Sequence, residues 1–393
     1  MPRKLHPWGE PPWTVDFHPK LQAFPAHVDF AIVGGGFSGL SAAAWLGRLA
    51  PEKSVAVFES AALGEGASGR TGGIALADTA GGPLPGLGDV LAGYKTILRA
   101  LRIDARLDLP GVYELGRSSP AKNSPISWND SGTLRVVRQV PGGCVDPGRV
   151  VAGLARAAEK AGAQIFERTH VHAIDFSKPL RLRVRRQFRR GIESKQITTG
   201  QILLATNAFS LELSGLRRST ASRLTLALAT APLSAAQLKA IGLFSRRAFY
   251  TVDFPYLWGR LLESHGVIFG SGLVPMPTSF DVLYRDTARS KRNGLTNLYR
   301  FDVRRGESSE LLCWLEDRVR NLHPALKSVR ITHRWGGPIL FTGGMRPIFR
   351  RHPRSGNVLI LAGYNGHGVA LSVYLGKWAA EALLGRRELS GWL

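Results

Sequence analysis

Cysteine and long apolar runs are scarce in this sequence of 393 residues. Only two cysteines are present, Cys144 and Cys313, which excludes a disulfide framework and favours a reducing compartment. No apolar run reaches the roughly 18 residues that a transmembrane helix needs. The first residues, MPRKLHPWGEPPW, contain no apolar segment typical of a secretory signal. The sequence therefore predicts a cytoplasmic protein without a membrane span.

Acidic residues are also few, since 29 Asp and Glu stand against 52 Lys and Arg, a formal net charge of +23. The densest basic segment is RLRVRRQFRR, residues 181–190, in which apolar side chains alternate with arginine. This alternation predicts a surface β-hairpin with one solvated face. Contact with a polyanion such as a nucleic acid is the alternative interpretation of the charge.

Glycine is abundant, with 45 residues, and the first of three glycine-rich segments is GGGFSG. It follows the apolar run DFAIV and precedes SGLSAAAWLGRL and VAVFES, an order that predicts a βαβ unit. Gly34, Gly36 and Gly39 have the G-x-G-x-x-G spacing of a dinucleotide-binding turn. Glu59 lies where an acidic side chain accepts hydrogen bonds from a ribose. The N-terminus of the helix after the turn would bind a pyrophosphate.

Two further glycine-rich segments suggest a longer cofactor than NAD. GEGASGRTGG, residues 64–73, begins shortly after the second strand, and its backbone N–H groups can form an anion-binding nest. A flavin dinucleotide that runs past the first helix would reach it. LAGYNGHGVALS, residues 361–372, joins a strand-like run to a helix-like run near the end of the chain. Glycine costs roughly 0.5–1 kcal/mol relative to alanine in an ordered segment, so this turn calls for a functional reason.

The remaining segments predict further helices and strands around an insertion. DPGRVVAGLARAAEK predicts a helix with Asp146 as its N-cap and Pro147 as its first residue. GQILLATNAFS predicts a buried strand that ends in a polar turn, AFYTVDF and GVIFGSG predict short strands, and SSELLCWLEDRVRNL predicts a helix. Residues 1–26 are rich in proline and aromatic residues and are expected to form an extended arm on the surface. The βαβ-type pieces are split by an insertion, which predicts two interleaved domains.

Five motifs, in order IVGGGFSGLSAA, GASGRTGG, ILLATNA, RWGG and GYNGHGVALS, resemble the FAD-dependent oxidoreductases of the D-amino-acid-oxidase family. They look most like its gamma-glutamylputrescine oxidase and glycine/sarcosine oxidase branch. The resemblance implies an α/β fold, with a Rossmann-like FAD-binding domain of the GR2 type, split in sequence, and an inserted α+β mixed-sheet substrate domain. The expected division is an N-terminal extension at 1–26, FAD-binding parts at 27–85, 141–215 and 331–393, and substrate-domain parts at 86–140 and 216–330.

The resemblance also implies which residues contact noncovalently bound FAD. The first two glycine segments and the strand end between them contribute Gly34, Gly36, Phe37, Ser38, Gly39, Glu59, Ser60, Ser68, Gly69, Arg70, Thr71, Gly72 and Gly73. The adenosine would lie near Val171, Ala205 and Thr206, and the flavin ring near Gly363, Tyr364, Gly366, His367 and Gly368. A helix N-terminus beside the ring would stabilise negative charge on the reduced flavin. Residues 335–357 contain no cysteine for a covalent flavin link, and no metal is expected.

The implied reaction is oxidation of a C–N bond in a small amine or amino acid by hydride transfer to flavin N5, followed by hydrolysis of the imine. Oxygen would reoxidise the flavin. The candidate catalytic residues are His367, Arg70, Arg260 and Arg346. The last two could bind a carboxylate, or be surface or structural arginines, because Ala370 stands where the sarcosine-oxidase branch often carries a carboxylate-binding lysine. Without such an anchor, a plain amine is favoured over an amino acid.

The stretch FYTVDFPYLWGR brings Tyr250, Tyr256 and Trp258 together in sequence. These rings form either the wall of an amine site, where a cation–π contact is worth roughly 0.5–2 kcal/mol, or ordinary core packing. Three other functions stay open at this point. They are a dehydrogenase that passes electrons to a quinone or carrier protein, a flavoprotein that oxidises a modified base on transfer RNA, and a flavin-binding scaffold without turnover.

Overall fold

The computed structural model describes residues 6–117, 123–188, 191–274 and 298–389. The strands are β1 (His27–Val33), β2 (Val55–Phe58), β3 (Ile74–Leu76), β4 (Val112–Gly116), β5 (Ser127–Asn129), β6 (Thr133–Val140), β7 (Gly142–Cys144), β8 (Gln164–Phe166), β9 (Thr169–Asp175), β10 (Leu180–Phe188), β11 (Gly191–Leu204), β12 (Thr220–Thr230), β13 (Ala248–Thr251), β14 (Trp258–Leu261), β15 (Val267–Val274), β16 (Ile331–Thr342), β17 (Ile348–His352) and β18 (Ser355–Ala362). The α-helices are α1 (Phe37–Leu49), α2 (Ala67–Arg70), α3 (Val90–Ala100), α4 (Pro147–Lys160), α5 (Leu211–Ser214), α6 (Ala235–Ala240), α7 (Gly306–Leu322) and α8 (Gly368–Leu383). Short 3-10 helices occupy Leu298–Arg300, Pro324–Leu326 and Gly343–Met345.

The first sheet is built around the predicted βαβ unit, which the structure confirms. Ile32 of β1 pairs with Val57 of β2 on one side and with Leu203 of β11 on the other, and both pairs of strands are parallel. The sheet runs β17-β18-β11-β1-β2-β8, with β10 and β9 added beside β11. Its central strands are buried on both faces, as is usual for parallel strands covered by other elements. Helices α1, α3, α4 and α8 contribute to the apolar core on one of these faces.

Local sequence signals account for the N-terminus of α4, one of the helices that cover this sheet. The Asp146 carboxylate accepts the N–H of Arg149 at 3.0 Å, and Pro147 is the first residue of α4. Both features confirm the predicted N-terminus, because a capping oxygen satisfies one of the N–H groups that the first turn leaves free, and proline lacks one.

In the described parts of the chain, no helix has both the length and the hydrophobicity to cross a membrane.

The second sheet has the order β16-β12-β15-β14-β13-β4-β6-β5. It is a mixed sheet, since β13 and β4 are parallel whereas the other neighbours are antiparallel. Helix α7 packs against one face with Leu315 and Val319, and together with Trp128 and Phe249 these side chains form a separate apolar core. β3 and β7 form a third, two-stranded sheet. The strands of the two large sheets alternate along the chain, as expected for interleaved parts.

Two elements lie differently from the division expected from the sequence. β16 pairs with β12 along its whole length, so the residues from 331 to 342 belong to the second sheet and not to the FAD-binding part. Helix α3 falls inside 86–140 but buries Val90, Tyr94 and Ile97 in the core of the first sheet. The physical reason is the same in both cases. A strand or helix joins whichever apolar face the topology brings near, and its own pattern does not specify that face.

The N-terminal segment is more than an arm on the surface. Trp8 is fully buried, its Nε1–H donates to the Leu298 carbonyl at 3.0 Å, and its own carbonyl accepts the N–H of Gly336 at 2.7 Å. Trp13 Nε1–H donates to the Gly69 carbonyl at 2.7 Å. The expectation of surface packing is therefore wrong for these tryptophans, which tie the arm to β16 and to the second glycine segment.

The basic segment forms the predicted hairpin strand. Leu180, Leu182 and Val184 of β10 are buried, and the intervening Arg183 and Arg185 are exposed. Arg186 departs from this alternation. Its guanidinium lies 4.0 Å from the Phe24 ring centroid, donates to the Gln22 carbonyl at 2.8 Å and pairs with Glu193, so it fastens the arm to the hairpin. The hairpin residues 189–190 lie outside the described residues.

Candidate active site

The first glycine turn is close-packed between β1, α1 and β11. Gly34 has φ +107°, and a Cβ there would lie 2.6 Å from the carbonyl oxygen of Ala205. A Cβ on Gly39 would lie 2.0 Å from the carbonyl oxygen of Gly34. Neither distance is possible for a real side chain, so glycine is required at both positions. The turn places the N-terminus of α1, which has no side-chain cap, beside the strand ends.

Glu59 follows β2, and its carboxylate holds the same turn. Oε2 accepts the N–H of Gly35 at 2.8 Å, and Oε1 accepts the N–H of Ala61 at 2.9 Å. Burial raises the pKa of Glu59, and the two N–H groups oppose that rise. The carboxylate therefore has a structural role in addition to the ribose contact expected from the sequence.

The second glycine segment is fastened to the first. The Ser68 hydroxyl of α2 accepts the N–H of Phe37, the first residue of α1, at 2.9 Å. A Cβ on Gly69 would lie 2.2 Å from the Gly64 carbonyl, and one on Gly72 would lie 2.3 Å from the Trp258 ring. The segment consequently contacts the first turn at one end and the second sheet at the other.

Arg70 is buried among backbone carbonyls and does not present a free guanidinium to a substrate. Nε–H donates to Glu65 at 2.9 Å, and Nη1–H donates to Gly9 at 2.8 Å and lies 3.3 Å from the carbonyls of Trp8 and Gly336. The guanidinium thus joins the arm, the second glycine segment and β16. This geometry corrects the catalytic assignment of Arg70 and gives it a positioning role beside the cavity described below.

The third glycine turn, between β18 and α8, is held by a side chain that the sequence analysis missed. Asn365 has φ +53° and is buried. Its Oδ1 accepts the N–H of Thr342 at 2.8 Å, and its Nδ2–H donates to the Gly363 carbonyl at 2.7 Å. The N–H of Gly363 donates to Oδ1 of Asn207 at 2.9 Å. Two asparagines therefore connect the turn to β16 and to the end of β11.

His367 precedes the first residue of α8 and is partly buried. Its Nδ1 lies 3.2 Å from the carbonyl oxygen of Asp78, a distance at which Nδ1–H donates to that oxygen. Desolvation lowers the pKa of His367, and the neighbouring carboxylates of Asp78 and Glu114 oppose this only in part. Desolvation therefore favours the neutral form of the imidazole.

One cavity of about 1130 Å³ runs along all three glycine segments to the second sheet. Most of the residues expected at the site line it: Gly34, Gly36, Phe37, Ser38, Glu59, Ser60, Ser68, Arg70, Thr71, Gly72, Val171, Ala205, Thr206, Tyr364, Gly366, His367 and Gly368. Gly39, Gly69, Gly73 and Gly363 are not lining residues; they support the turns from behind.

The two arginines predicted as carboxylate anchors do not line the cavity. Arg260 is buried behind the second glycine segment, where its Nε–H donates to the Gly72 carbonyl and its guanidinium lies 5.7 Å from the Trp13 ring centroid. Burial lowers the pKa of Arg260. Arg346 is exposed, and the Thr342 hydroxyl donates to its carbonyl oxygen. Of the two alternatives that the sequence leaves open, this placement agrees with a structural Arg260 and a surface Arg346 and not with contacts to a substrate carboxylate.

A single row of residues across the second sheet faces the cavity instead. Strand pairing places Arg138 opposite Glu114, Glu114 opposite Tyr250, and Tyr250 opposite Trp258. The row continues through Gly270, Ala227 and Trp335. Directly paired residues lie on the same face of a sheet, so these side chains share one wall. Except for Gly270, over which the Trp258 ring lies, all of them are lining residues of the cavity.

Comparison with known proteins identifies the family. The sequence profile described as FAD dependent oxidoreductase, the DAO family, matches residues 29–382. The chain belongs to this family. A probable oxidoreductase OrdL of Rhizobium meliloti is 26% identical over 95% of this chain and 87% of its own length. The gamma-glutamylputrescine oxidoreductase of Escherichia coli is 24% identical over 92% and 84%. The crystal structure of glycine oxidase from Geobacillus kaustophilus has the same fold, with a TM-score of 0.66, 18% identity and coverage of 93% and 96%.

Family membership makes FAD the cofactor of this oxidoreductase, and the residues of the cavity fit it. Gly34 and Gly39 allow the turn to pack closely against β11 and α1, and Gly36, which lines the cavity, has no side chain to keep a pyrophosphate from the backbone. The N-cap Gly36 supplies no side-chain cap, and although the N–H of Phe37 donates to Ser68, the first turn of α1 still presents its positive dipole end to that anion. The cavity then continues past α2 toward α8, which is the extended shape that a flavin dinucleotide requires.

Proposed function

We propose that this enzyme uses bound FAD to oxidise a C–N bond of a small amine or amino acid, with O2 as the final electron acceptor. The observation that carries the proposal is the continuous cavity from the first glycine turn to the row on the second sheet. It offers one compartment for a dinucleotide and a second, walled by Tyr250 and Trp258, for a small molecule. Bound FAD supplies the hydride acceptor, and water hydrolyses the imine product.

The first two glycine segments would hold the adenosine and pyrophosphate half of FAD. The N-terminus of α1 would face the pyrophosphate, and Glu59 would accept hydrogen bonds from the ribose. Val171, Ala205 and Thr206 border the same end of the cavity, which supports the adenosine contacts proposed for them.

The remaining cavity-lining residues of these segments and of the third turn would hold the flavin ring. Thr71 and Gly72 of the second glycine segment and Tyr364, Gly366 and His367 of the third turn all line the cavity. The first turn of α8 follows directly after His367, and its free N–H groups would stabilise negative charge on the ring. The side chains of this enzyme would therefore bind and orient FAD and the substrate, and they would shield the reacting carbon from water.

The names of the relatives support the substrate class. The proteins compared above include one named for gamma-glutamylputrescine and one named for glycine, and both of these compounds contain carbon–nitrogen bonds. A neutral His367 agrees with this chemistry, because hydride loss from a carbon next to a neutral amine needs no protein cation and no strong base.

The proposal is tested by product analysis in air. The purified holoenzyme is incubated with single amines and amino acids, and O2 uptake, hydrogen peroxide and the carbonyl product are measured together. One compound should give the three in equal amounts. Carbonyl formation that requires an added quinone or dye would replace O2 by another acceptor. Absence of any carbonyl product with every compound and both acceptors would contradict the proposed reaction.

A further inference from the structure

The charges that line the cavity differ in balance from those of the whole chain. The chain has 52 basic and 29 acidic side chains. The described lining residues include three carboxylates, Glu59, Asp78 and Glu114, and two guanidinium groups, Arg70 and Arg138. Glu59 is bound to the first glycine turn and Arg70 to backbone carbonyls. At the second-sheet end of the cavity, the described lining residues therefore carry two negative charges, on Asp78 and Glu114, and one positive charge, on Arg138.

Glu114 is a buried carboxylate whose ionised form is held by its neighbours in the row. Its residue is only 6% exposed. The Tyr250 hydroxyl donates to Oε1 at 2.5 Å, Arg138 Nη2–H donates to Oε1 at 3.1 Å, and Arg138 Nε–H donates to Oε2. Burial alone would raise the pKa of Glu114, but these hydrogen bonds outweigh burial and lower it. Four lone-pair directions on a carboxylate leave room for one more donor.

Arg138 is committed to this pair and is not a free anchor for a substrate carboxylate. Two of its nitrogens face Glu114, and its side chain is 68% exposed. Arg260 and Arg346 are not lining residues, and Arg70 is bound to carbonyls. None of these arginines is thus placed as a buried, uncommitted guanidinium at the second-sheet end of the cavity.

The rest of the row is aromatic and suits a cation. Trp258 is fixed between two glycines, since a Cβ on Gly72 or on Gly270 would lie 2.3 Å or 2.0 Å from its ring. Trp335 is fully buried, and its Nε1–H donates to the Arg70 carbonyl at 2.9 Å. The Tyr250 ring lies beside Glu114 and Trp258 lies one strand further along the row, whereas Trp335 is at its far end. A carboxylate followed by these two aromatic side chains can attract a substituted ammonium group through charge and cation–π contacts.

We propose that Glu114, fixed by Tyr250, is the recognition site for a positively charged nitrogen of the substrate, distinct from the neutral amine that is oxidised, and that the substrate has no carboxylate beside the reacting carbon. This inference rests on the proposed function and specifies its substrate class. Arg138 has the opposite charge to Glu114 and therefore weakens its attraction for a cation. Asp78, a second and exposed carboxylate at this end of the cavity, adds to that attraction. A zwitterion would bring its own carboxylate toward these two acids and bind less well.

The test uses three redox-inert probes of related shape: tetramethylammonium, trimethylglycine and acetate, which are a cation, a zwitterion and an anion. Each is titrated into the FAD-loaded enzyme at pH 8, and binding is followed by calorimetry and by the change in the flavin absorption bands. Tetramethylammonium should bind tightest. Glu114→Gln should weaken its binding about tenfold, because a charge-assisted contact becomes a neutral one. Arg138→Gln should strengthen it, because Glu114 loses its neutralising partner.

Glu263→Gln is the matched control, because Glu263 forms an ion pair with Arg106 on the surface and does not line the cavity. It should leave all three dissociation constants unchanged. Tighter binding of acetate or trimethylglycine than of tetramethylammonium, or loss of their binding in Arg138→Gln, would overturn the inference and make Arg138 a carboxylate anchor. If Glu114→Gln does not yield holoenzyme, Arg138→Gln provides the test: tighter binding of tetramethylammonium supports the inference, and weaker binding contradicts it. The inference can fail without the proposed function. If acetate or trimethylglycine binds tighter than tetramethylammonium but an amine still bleaches the flavin, the proposed oxidation is supported and only the role of Glu114 is wrong.

Discussion

The hydroxyl oxygens of Ser38 and Tyr364 lie 2.5 Å apart, although 326 positions separate the two residues in the chain. Ser38 lies in the first turn of α1, and Tyr364 lies in the turn before α8. This hydrogen bond joins the first glycine segment to the third, and both residues line the cavity. The glycine-rich turn near the end of the chain is therefore the other side of the cavity that begins at the N-terminal βαβ unit.

Removal of one hydroxyl from this pair should weaken both the fold and the FAD site. Tyr364→Phe leaves the Ser38 hydroxyl buried without its partner, which costs about 1–3 kcal/mol of unfolding free energy. FAD affinity should fall as well, because the two turns that would hold FAD are no longer joined. The measurements are chemical denaturation and FAD titration of the apoprotein.

Tyr374→Phe provides the control for that experiment. Tyr374 also loses a hydroxyl hydrogen bond, to the Leu87 carbonyl at 2.9 Å, but it does not line the cavity. It should lower stability without changing FAD affinity. Equal FAD affinities of the two variants would show that the Ser38–Tyr364 contact has no role in the cofactor site.

A methyl group at Gly34 should abolish tight FAD binding. Gly34→Ala places a Cβ against the Ala205 carbonyl and requires φ +107° of an alanine, so the turn must move. We expect FAD affinity to fall by more than about tenfold. Gly162→Ala is the control, because φ is +90° there but a Cβ would meet nothing within 4 Å. FAD binding by Gly34→Ala at the level of Gly162→Ala would exclude a close approach of FAD to this turn.

Substitutions of Asn365 should separate its hydrogen bonds from its backbone conformation. Asn365→Gly keeps φ +53° accessible but leaves the buried N–H of Thr342 unpaired, for a loss of about 1–3 kcal/mol. Asn365→Ala should lose about 1–2 kcal/mol more, because the left-handed conformation is unfavourable for an alanine. Asn365→Asp keeps the acceptor for the N–H of Thr342 but turns a second acceptor oxygen toward the Gly363 carbonyl, so it should lose stability as well. An alanine variant as stable as the glycine variant in urea denaturation would contradict the role given to φ.

Stability should fall with decreasing pH through the titration of His6. Burial, with a smaller contribution from the Arg70 charge, lowers the pKa of His6 to about 4. Neutral His6 accepts the N–H of Trp8 at 3.1 Å through Nδ1, and a protonated ring cannot. Between pH 6.5 and about 4 the unfolded chain binds a proton that the folded chain does not, so this contribution is present above pH 6.5 and is lost as the pH falls.

The size of that effect is limited by exposure of the ring, so the slope should be smaller than the about 1.4 kcal/mol per pH unit of a fully buried group. The measurement is the free energy of unfolding of the unmodified protein and of His6→Gln from pH 4.5 to 7.5. His18→Gln, at an exposed position of the same arm, is the control. Parallel pH curves for the unmodified protein and His6→Gln would contradict the prediction.

The parts of the fold and site that the sequence predicts correctly are those encoded within one short segment. The βαβ unit follows from the alternation of DFAIV, a glycine turn and an alanine-rich helix, and the start of α4 follows from Asp146 and Pro147. Gly34, Gly36 and Gly39 are recognisable from their G-x-G-x-x-G spacing between a predicted strand and a predicted helix. Each of these signals depends on neighbours within a few positions.

The features that sequence reasoning missed depend on pairing between distant strands. Glu114 and Arg138 are two site residues that the sequence did not indicate. They meet Tyr250, which the sequence did indicate, only through the register of β4, β6 and β13, and local patterns do not specify that register. Asn365 lies inside a motif that was recognised, but its bond to Thr342 exists because β16 belongs to the second sheet. For Arg260 and Arg346 the sequence allows either a carboxylate contact or a structural or surface position, because a side chain's distance from the cavity is a tertiary property.

The most direct test of the central claim is an anaerobic visible spectrum of the purified protein, before and after addition of cationic amines and matched amino acids. We expect a flavin spectrum that one cationic amine bleaches, whereas the carboxylated counterpart of that amine has little effect. A protein that contains no flavin and takes up none on incubation with FAD would contradict the central claim, and a bound flavin that stays oxidised with every compound would contradict the proposed oxidation of a C–N bond.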